Sequence, residues 1–352
     1  MIDDKTYSIE WINDLRNKIG KRIDPKLIEK VIYALSLLEQ LQLKNLDFVF
    51  KGGTALLLTT PVPKRFSIDI DIITEVKSVD IERVLNKIIE AGKFLRWTDD
   101  NERIHSADAP IGHYKLFYQS KVDGREEPIL LDVLYAPNPY VETQKIPIKH
   151  NWLITSEKDT IVEIPTFDAI LGDKLTAFAP NTTGILYAKN RPVEIVKQLF
   201  DIAFLFDRAS DIKIVKETFD KIAHEEIVYR NLSITTEEVL EDTWNTCFLI
   251  ATRDTSTDAF KQIQLGLRNF VNFTVDRFSI EEAVTASAKA AYLTRLLYKD
   301  DAQKIEKFIS PLEIKDWVIE NSSYNKLNKL RKNNPEAFFY WYKSFLCKPP
   351  MK

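Results

Sequence analysis

Residues 65–73 read RFSIDIDII, and apolar and polar side chains alternate along them. Side chains at alternate positions of a strand lie on the same face, so this alternation predicts a strand over residues 66–73. The face expected to pack in a core carries Phe66, Ile68, Ile70 and Ile72. The opposite face carries Arg65, Ser67, Asp69 and Asp71. The stretch therefore predicts a strand that is buried on one side and bears two carboxylates on the other.

The carboxylates of Asp69 and Asp71 predict a metal site. Two carboxylates on one strand face repel each other and raise each other's pKa unless a cation lies between them. Mg²⁺ (or Mn²⁺) suits this position, because Mg²⁺ prefers oxygen ligands and is usually held by one or two carboxylates plus substrate phosphates. The alternative is that both aspartates lie on the solvated face of an edge strand, since the motif D-x-D is short and common.

A pair of glycines precedes this strand. Only nine glycines occur in the chain, and Gly52 and Gly53 stand side by side in the run KGGT, between the apolar residues 48–50 and a short helix predicted over 54–58. Glycine permits unusual backbone angles and close approach to a ligand. Backbone N–H groups at such a turn can hold the phosphates of a nucleotide. The alternative is an ordinary tight turn.

A further carboxylate lies in the apolar run ILLDVL, residues 129–134. The run belongs to the second of two strands, 114–120 and 128–135, that a turn at Asp123-Gly124 joins. A carboxylate in a buried strand is costly unless it is paired or binds a metal. Asp132 is therefore a candidate third metal ligand, with a salt bridge or an exposed strand end as the alternatives.

The remaining pattern divides the chain into two halves. Helical periodicity before Arg208 covers 24–43, 81–91, 167–178 and 192–206. After Arg208 it covers 211–229, 235–253, 257–278 and 279–299, the last with Ser279 and Glu282 at capping-box spacing. The sequence therefore predicts an α+β fold, with domains at 1–208 and 209–352, the second of them helical.

Composition limits the class of protein. The chain has 352 residues, 45% of them apolar and 29% charged, which is typical of a globular protein. A net charge of −3 gives no bulk signal for a nucleic-acid partner, and the two cysteines, Cys247 and Cys347, exclude a disulfide framework. Neither a secretory signal nor an apolar run of roughly 18 residues is present. We expect a cytoplasmic protein without a membrane segment.

Four motifs together resemble a known family. The run FKGGTAL, residues 50–56, followed by R-x-S-x-D-I-D, residues 65–71, resembles the AbiEii/AbiGii toxin family of nucleotidyltransferases, within the polymerase-β-like superfamily. LGDKLTA, residues 171–177, and KQLFDI, residues 197–202, match two further motifs of that family. Gln198 departs from the aspartate often found there and Ile202 from leucine, whereas Asp201 is kept. The resemblance covers about residues 45–206.

The resemblance implies a fold and a mechanism. The fold is a polymerase-β-like nucleotidyltransferase core, a mixed sheet with flanking helices, and the reaction is metal-dependent transfer of a nucleoside monophosphate from an NTP to an acceptor. The implied metal ligands are Asp69 and Asp71, with Asp132. The implied nucleotide-binding residues are Gly52, Gly53, Thr54, Arg65, Ser67 and Lys174. The implied catalytic residues are Asp69, Asp71, Lys174 and Asp201.

Three of these residues have simpler interpretations. Arg65 could form a surface ion pair. Lys174 could extend into solvent, which is the commoner arrangement of a lysine beside an apolar stripe. Asp201 could form an ordinary i,i+4 pair with Lys197, worth only a few tenths of a kcal/mol.

The resemblance also implies a biological setting. The family supplies the toxin of type IV toxin–antitoxin or abortive-infection systems, with an antitoxin encoded next door and RNA, notably a tRNA 3′ end, as acceptor. Two alternatives remain: a nucleotidyltransferase that modifies a protein or a small molecule, and a non-catalytic nucleotide-binding module.

Two other features receive no catalytic role. The basic run YNKLNKLRKNN, residues 324–334, precedes the aromatic run FFYWY, residues 338–342. They could bind RNA by charge and stacking, but a solvated helix face followed by a packed C-terminal helix is favoured. The histidines lack metal-ligand spacing and are His105, His113, His150 and His224.

Overall fold

The computed structural model of the protein describes residues 1–20, 22–60, 63–100, 109–298 and 304–347. His105 lies outside these ranges.

The chain divides into two compact units. The first, called the sheet unit, comprises Met1–Asn138, Thr143–Pro165 and Asn272–Asp276. The second, called the helical unit, comprises Pro139–Glu142, Thr166–Val271 and Arg277–Lys352.

The sheet unit is built on a mixed five-stranded sheet in the order β1-β2-β5-β4-β3. Its strands are β1 (Val49–Lys51), β2 (Ile70–Thr74), β3 (Arg96–Asp99), β4 (Ile111–Gln119) and β5 (Glu126–Tyr135). β2 and β5 are parallel, and the other neighbouring pairs are antiparallel. A separate antiparallel pair consists of β6 (Thr143–Pro147) and β7 (Ile161–Pro165).

Four helices accompany this sheet, and their bounds are α1 (Ile9–Ile19), α2 (Pro25–Leu43), α3 (Gly52–Leu58) and α4 (Ser78–Glu90). The long helix α2 begins where its sequence dictates: the Asp24 side chain accepts a hydrogen bond from the Lys26 N–H, and Pro25 occupies the first turn. Its apolar stripe joins the buried β-strand residues in one core.

The strand predicted over residues 66–73 is shorter than expected. β2 begins at Ile70, because its antiparallel neighbour β1 ends at Lys51, opposite Asp71, and the chain then turns into α3. Arg65 instead forms an isolated bridge with Thr274, and the Phe66 N–H donates to the Phe273 carbonyl at 2.8 Å. The positions of Arg65 and Ser67 therefore do not follow from strand alternation.

The helical unit contains eight α-helices among its described residues. They are α5 (Phe167–Ala177), α6 (Pro192–Phe206), α7 (Ile212–Tyr229), α8 (Thr236–Thr252), α9 (Asp258–Phe270), α10 (Ile280–Leu297), α11 (Leu330–Asn333) and α12 (Pro335–Leu346). α10 is the central helix, packing on α6, α8 and α12. It begins with the predicted capping box of Ser279 and Glu282. The helix predicted over 257–278 is wrong beyond Phe270, because residues 272–276 join the sheet unit.

The α+β prediction is confirmed: a mixed sheet with flanking helices is followed by a helical C-terminal region. The predicted limits 1–208 and 209–352 place α5 and α6 with the mixed half, whereas in the structure these two helices pack within the helical unit. The aromatic side chains Phe338 to Trp341 are buried in α12, as expected for a packed C-terminal helix. None of the helices in the described ranges is both long and apolar enough to span a membrane.

Candidate active site

The turn from β1 into α3 brings Gly52 against a carboxylate of β2. Gly52 has a φ of +79°, a backbone conformation that residues with a Cβ rarely adopt. A Cβ built on Gly52 would lie 2.2 Å from Asp71 Oδ2, so the carboxylate occupies the space that a side chain would need. Glycine is therefore required at this position both by the backbone and by the close approach of Asp71.

The second glycine lies against two other predicted site residues. A Cβ on Gly53 would lie 2.3 Å from Arg65 Nη2 and 2.7 Å from Ser67 Oγ. Arg65 is only 8% exposed, and its Nη1 donates to the Phe66 carbonyl at 3.0 Å. Arg65 is thus a buried cation beside the glycine turn and not a surface side chain.

The side chain of Thr54 has a structural role. It is fully buried, and its hydroxyl donates to the Asp69 carbonyl at 2.6 Å. This hydrogen bond ties the start of α3 to the residue that precedes β2. A phosphate contact from Thr54 would therefore come from its backbone N–H.

One row of paired residues crosses four neighbouring strands. Lys51 pairs with Asp71, Asp71 with Asp132, and Asp132 with His113. Residues paired directly across a sheet lie on the same face, with Cβ atoms about 4.5–5.5 Å apart. The row thus places two carboxylates side by side, with a lysine position and a histidine position at its ends.

His113 holds Asp132 in place. His113 Nδ1 lies 2.7 Å from Asp132 Oδ1; the histidine side chain is 8% exposed and the aspartate side chain 35%. The Asp132 carboxylate is thus paired with His113, which agrees with the alternative that a carboxylate in a buried strand has a partner. It also lies beside Asp71. His113 was not among the predicted site residues, because it precedes the predicted strand 114–120 by one residue; the turn at Asp123-Gly124 predicts that this strand pairs with the one carrying Asp132, but not the register.

The three proposed metal ligands are not equivalent in position. Asp71 and Asp132 are register partners on parallel strands, whereas Asp69 precedes β2 and is tied by its carbonyl to Thr54. Within the described ranges, no group of three or more His, Cys, Asp or Glu side chains is arranged as a complete metal site. Two adjacent carboxylates suit a cation that takes its other ligands from phosphates and water.

A buried polar cluster lies in the helical unit. Lys174 of α5 has its Nζ 3.1 Å from Asp201 Oδ2 and 2.9 Å from Gln198 Oε1, both on α6. Lys174 is 7% exposed and Asp201 is 2% exposed, so the interpretation of Lys174 as a solvent-extended lysine is wrong. Gln198 lies one turn before Asp201 and accepts from the same ammonium group, a role that its departure from the family motif did not reveal.

A comparison with models of protein families identifies the family of the chain. The model of a family described as "Nucleotidyl transferase AbiEii toxin, Type IV TA system" matches residues 36–272. The chain belongs to this family. It is therefore a nucleotidyltransferase of the AbiEii toxin type, a family of type IV toxin–antitoxin systems, and the predicted resemblance is confirmed.

Two solved structures from Helicobacter pylori show a more distant similarity. One, described as a candidate nucleotidyltransferase from H. pylori, is 17% identical with a TM-score of 0.46, covering 78% of this chain and 97% of that one. The other, JHP933, is 16% identical with a TM-score of 0.45, covering 78% of this chain and 94% of that one. No curated protein matches the chain.

Proposed function

We propose that this AbiEii nucleotidyltransferase transfers a nucleoside monophosphate from an NTP to RNA, acting as the toxin of a type IV toxin–antitoxin pair. The observation that carries the proposal is the packing of Gly52 and Gly53 directly against Asp71, Arg65 and Ser67. Because the two glycines have no side chains, a carboxylate, a buried cation and a hydroxyl approach the backbone of the turn closely, and the phosphates would bind beside these groups.

The nucleotide phosphates would be held by the glycine turn and its neighbours. The backbone N–H groups of Gly52, Gly53 and Thr54 would donate hydrogen bonds to the phosphates, because backbone N–H groups in a glycine turn form anion-binding concavities. Arg65 would add a fixed positive charge, and Ser67 a hydroxyl donor. The burial of Arg65 supports this role, since little rotamer freedom remains to be lost when phosphate binds.

Asp69, Asp71 and Asp132 would hold Mg²⁺ or Mn²⁺. The fit is supported by the donor set, hard carboxylate oxygens on adjacent strands, and by the glycine that leaves Asp71 Oδ2 beside the phosphate turn. When bound, the cation would neutralise charge on the nucleotide phosphates. His113 would fix the orientation of Asp132 and so keep one of its oxygens directed away from the imidazole.

Lys174 and Asp201 would act as a pair. A buried ammonium group that is held by Asp201 and Gln198 has a defined position, and we assign it to the nucleotide phosphates on the strength of the two family motifs. Asp201 would position Lys174. The acceptor hydroxyl would then attack the α-phosphorus as pyrophosphate leaves, a reaction in which positioning and charge stabilisation supply most of the catalysis.

RNA, and in particular a tRNA 3′ end, is the acceptor we propose, with an antitoxin as the regulatory partner and the cytoplasm as the location. Transfer to a protein or to a small molecule is the second candidate. The two kinds of acceptor are distinguished by the class of molecule that carries the labelled nucleotide after the reaction.

The test incubates the purified protein with each α-labelled NTP, Mg²⁺ or Mn²⁺, total RNA and total protein. We expect label in RNA, and a rate reduced at least about a hundredfold in Asp71→Asn, because a charged metal ligand is lost. Asp14→Asn, at an exposed position of α1, is the control and should behave like the wild type. Label in protein alone would overturn the RNA acceptor, and full activity in Asp71→Asn would overturn the metal assignment.

A further inference from the structure

A cavity lies in the helical unit, where the end of α8, one side of α9 and the start of α10 meet. Its volume is about 620 Å³, within the range of about 300–1,000 Å³ that is usual for ligand pockets. None of the residues assigned above to nucleotidyl transfer lines it. A ligand of this cavity would therefore contact residues other than those assigned to nucleotidyl transfer.

The charged residues that line this cavity are three arginines, Arg253, Arg268 and Arg277, with no acidic residue among its described lining. Arg253 is balanced by Glu281, with Nη2 and Oε2 2.6 Å apart. The side chain of Arg268 is exposed and forms no hydrogen bond or ion pair with the described part of the chain. The cavity thus carries positive charge that the protein does not itself neutralise, which favours an anionic ligand.

The charge of Arg277 is balanced in part. The pKa of Glu282 is lowered first by its hydrogen bond with Ser279, and Arg277 adds a smaller effect of the same sign. Arg277 is nevertheless exposed at the surface. It remains available to a phosphate that also contacts Arg268.

The rest of the lining combines five apolar residues with the polar residues Thr255, Gln264 and Ser279. Phe260 is 1% exposed, and the ring of Phe278 packs edge-on against Phe200 and Phe270, with centroids 5.1 and 5.8 Å away. Val271, by contrast, is 45% exposed. Leu267 is half-buried, so both it and Val271 offer contact area to a flat ring such as a nucleic-acid base.

The start of α10 does not supply the anion site. The Ser279 N–H donates to Glu282 Oε2 at 2.8 Å, and the Ser279 Oγ accepts from the Glu281 N–H at 3.2 Å. These N–H groups at the helix start are satisfied by the helix's own capping box. Recognition of an anion is therefore left to the arginine side chains.

We propose that this cavity binds one nucleotide of a single-stranded RNA, with its phosphate on Arg268 and Arg277 and its base against Leu267 and Val271. The inference rests on the RNA acceptor proposed above. A strand is favoured over a free nucleotide because both arginines are exposed, as expected where a backbone enters and leaves a groove. Binding of this kind is tolerant of sequence, since every base has an apolar face.

The test measures binding of a short labelled single-stranded RNA by fluorescence anisotropy over a range of salt concentrations. In Arg268→Gln/Arg277→Gln we expect about tenfold weaker binding and a salt slope reduced by about 0.7, since both arginines contact one phosphate and each phosphate contact on a single strand contributes about 0.7. The matched control, Lys213→Gln/Lys221→Gln, removes two exposed charges from α7 and should keep the wild-type slope. Leu267→Ala should weaken binding a few-fold with the slope unchanged, because it removes only apolar contact.

An equal loss in the lysine control would mean that general electrostatics explains the binding, and would overturn the inference. Calorimetry with AMP separates the two sources of a nucleotide: AMP bound as tightly as the strand would overturn the RNA assignment. Label transfer to RNA is measured in parallel. A wild-type protein that binds the strand through the arginines but labels no RNA would support the cavity and overturn the proposed function. If the arginine variant binds the strand and labels RNA as the wild type does, the proposed function is supported and the cavity inference is overturned.

Discussion

Gly52 is the residue at which the backbone and the proposed site constrain each other most directly. In Gly52→Ala, the φ of +79° costs about 1 kcal/mol of stability, and the new Cβ must also displace the Asp71 carboxylate, 2.2 Å away. We expect nucleotidyl transfer to fall at least about tenfold, since a displaced metal ligand weakens the proposed charge stabilisation. Thermal unfolding and label transfer are measured on the same sample.

Gly92→Ala is the matched control for this prediction. Gly92 has a φ of +83°, and a Cβ placed there would meet no atom within 4 Å. It should therefore lose a similar amount of stability and keep full activity. Equal loss of activity in both variants would mean that backbone strain, and not the contact with Asp71, is responsible.

We expect the buried side chain of His150 to make the stability of the protein depend on pH. Its Nε2 donates to the Thr60 carbonyl, its Nδ1 accepts from the Trp152 N–H, both at 3.2 Å, and burial lowers the pKa of the imidazole to about 4. The unfolded chain, with a histidine pKa of about 6.5, binds this proton more readily than the folded protein does. Stability should therefore be full above about pH 6.5 and fall as the pH drops towards about 4, by up to about 3 kcal/mol.

Chemical unfolding measured between about pH 7 and about pH 4.5 checks this dependence. His150→Gln keeps one donor and one acceptor but does not titrate, so it should flatten the curve over that range. If His150→Gln loses as much stability as the wild type over this pH range, the pH dependence arises from the carboxylates and not from His150.

At the level of elements, the alternation in residues 65–73 identified a strand and its buried face but not the residue where the strand begins. That limit depends on β1, which ends at Lys51, and on Thr274, some two hundred residues later in the chain. The glycine turn and Asp71 could be predicted, because both are local in sequence. The contact between His113 and Asp132 depends on the register of two strands, which periodicity alone does not give.

The pairing of α5 with α6 gives a prediction about stability. Lys174→Met should destabilise the protein by about 3–5 kcal/mol, because the buried carboxylate of Asp201, 2% exposed, would lose the ammonium group that lies 3.1 Å away. Lys174→Met/Asp201→Leu should recover most of this loss, since an apolar pair can replace a buried ion pair. Denaturant unfolding measures both variants.

The double variant also separates the structural role of the pair from the catalytic one. If Lys174 binds the nucleotide phosphates, Lys174→Met/Asp201→Leu should be stable and inactive. Recovery of label transfer together with stability would show that the pair only supports the fold.

At the level of the whole molecule, helical periodicity identified a mixed half and a helical half but not which helices pack together. A Cβ on Gly172 of α5 would lie 2.5 Å from the Val215 carbonyl of α7, and one on Gly266 of α9 would lie 2.4 Å from the Pro192 carbonyl of α6. These close approaches join α5 and α6 to helices that follow residue 208. Their motifs resemble the family's catalytic sequences, yet their packing partners are in the helical unit.

Fragments of the chain test this division. Fragment 166–352 keeps α5 to α12 together and should unfold cooperatively on heating, with the helical circular dichroism that its composition requires. Fragment 1–208 separates α5 and α6 from α7, α9 and α10, and so exposes side chains such as Leu199 and Ile202, which are fully buried in the whole protein. Exposed apolar faces of this extent cause aggregation, so we expect fragment 1–208 to be insoluble or to unfold without a cooperative transition. If 1–208 and 209–352 each unfold cooperatively instead, the boundary lies at residue 208, because only complete cores unfold in this way.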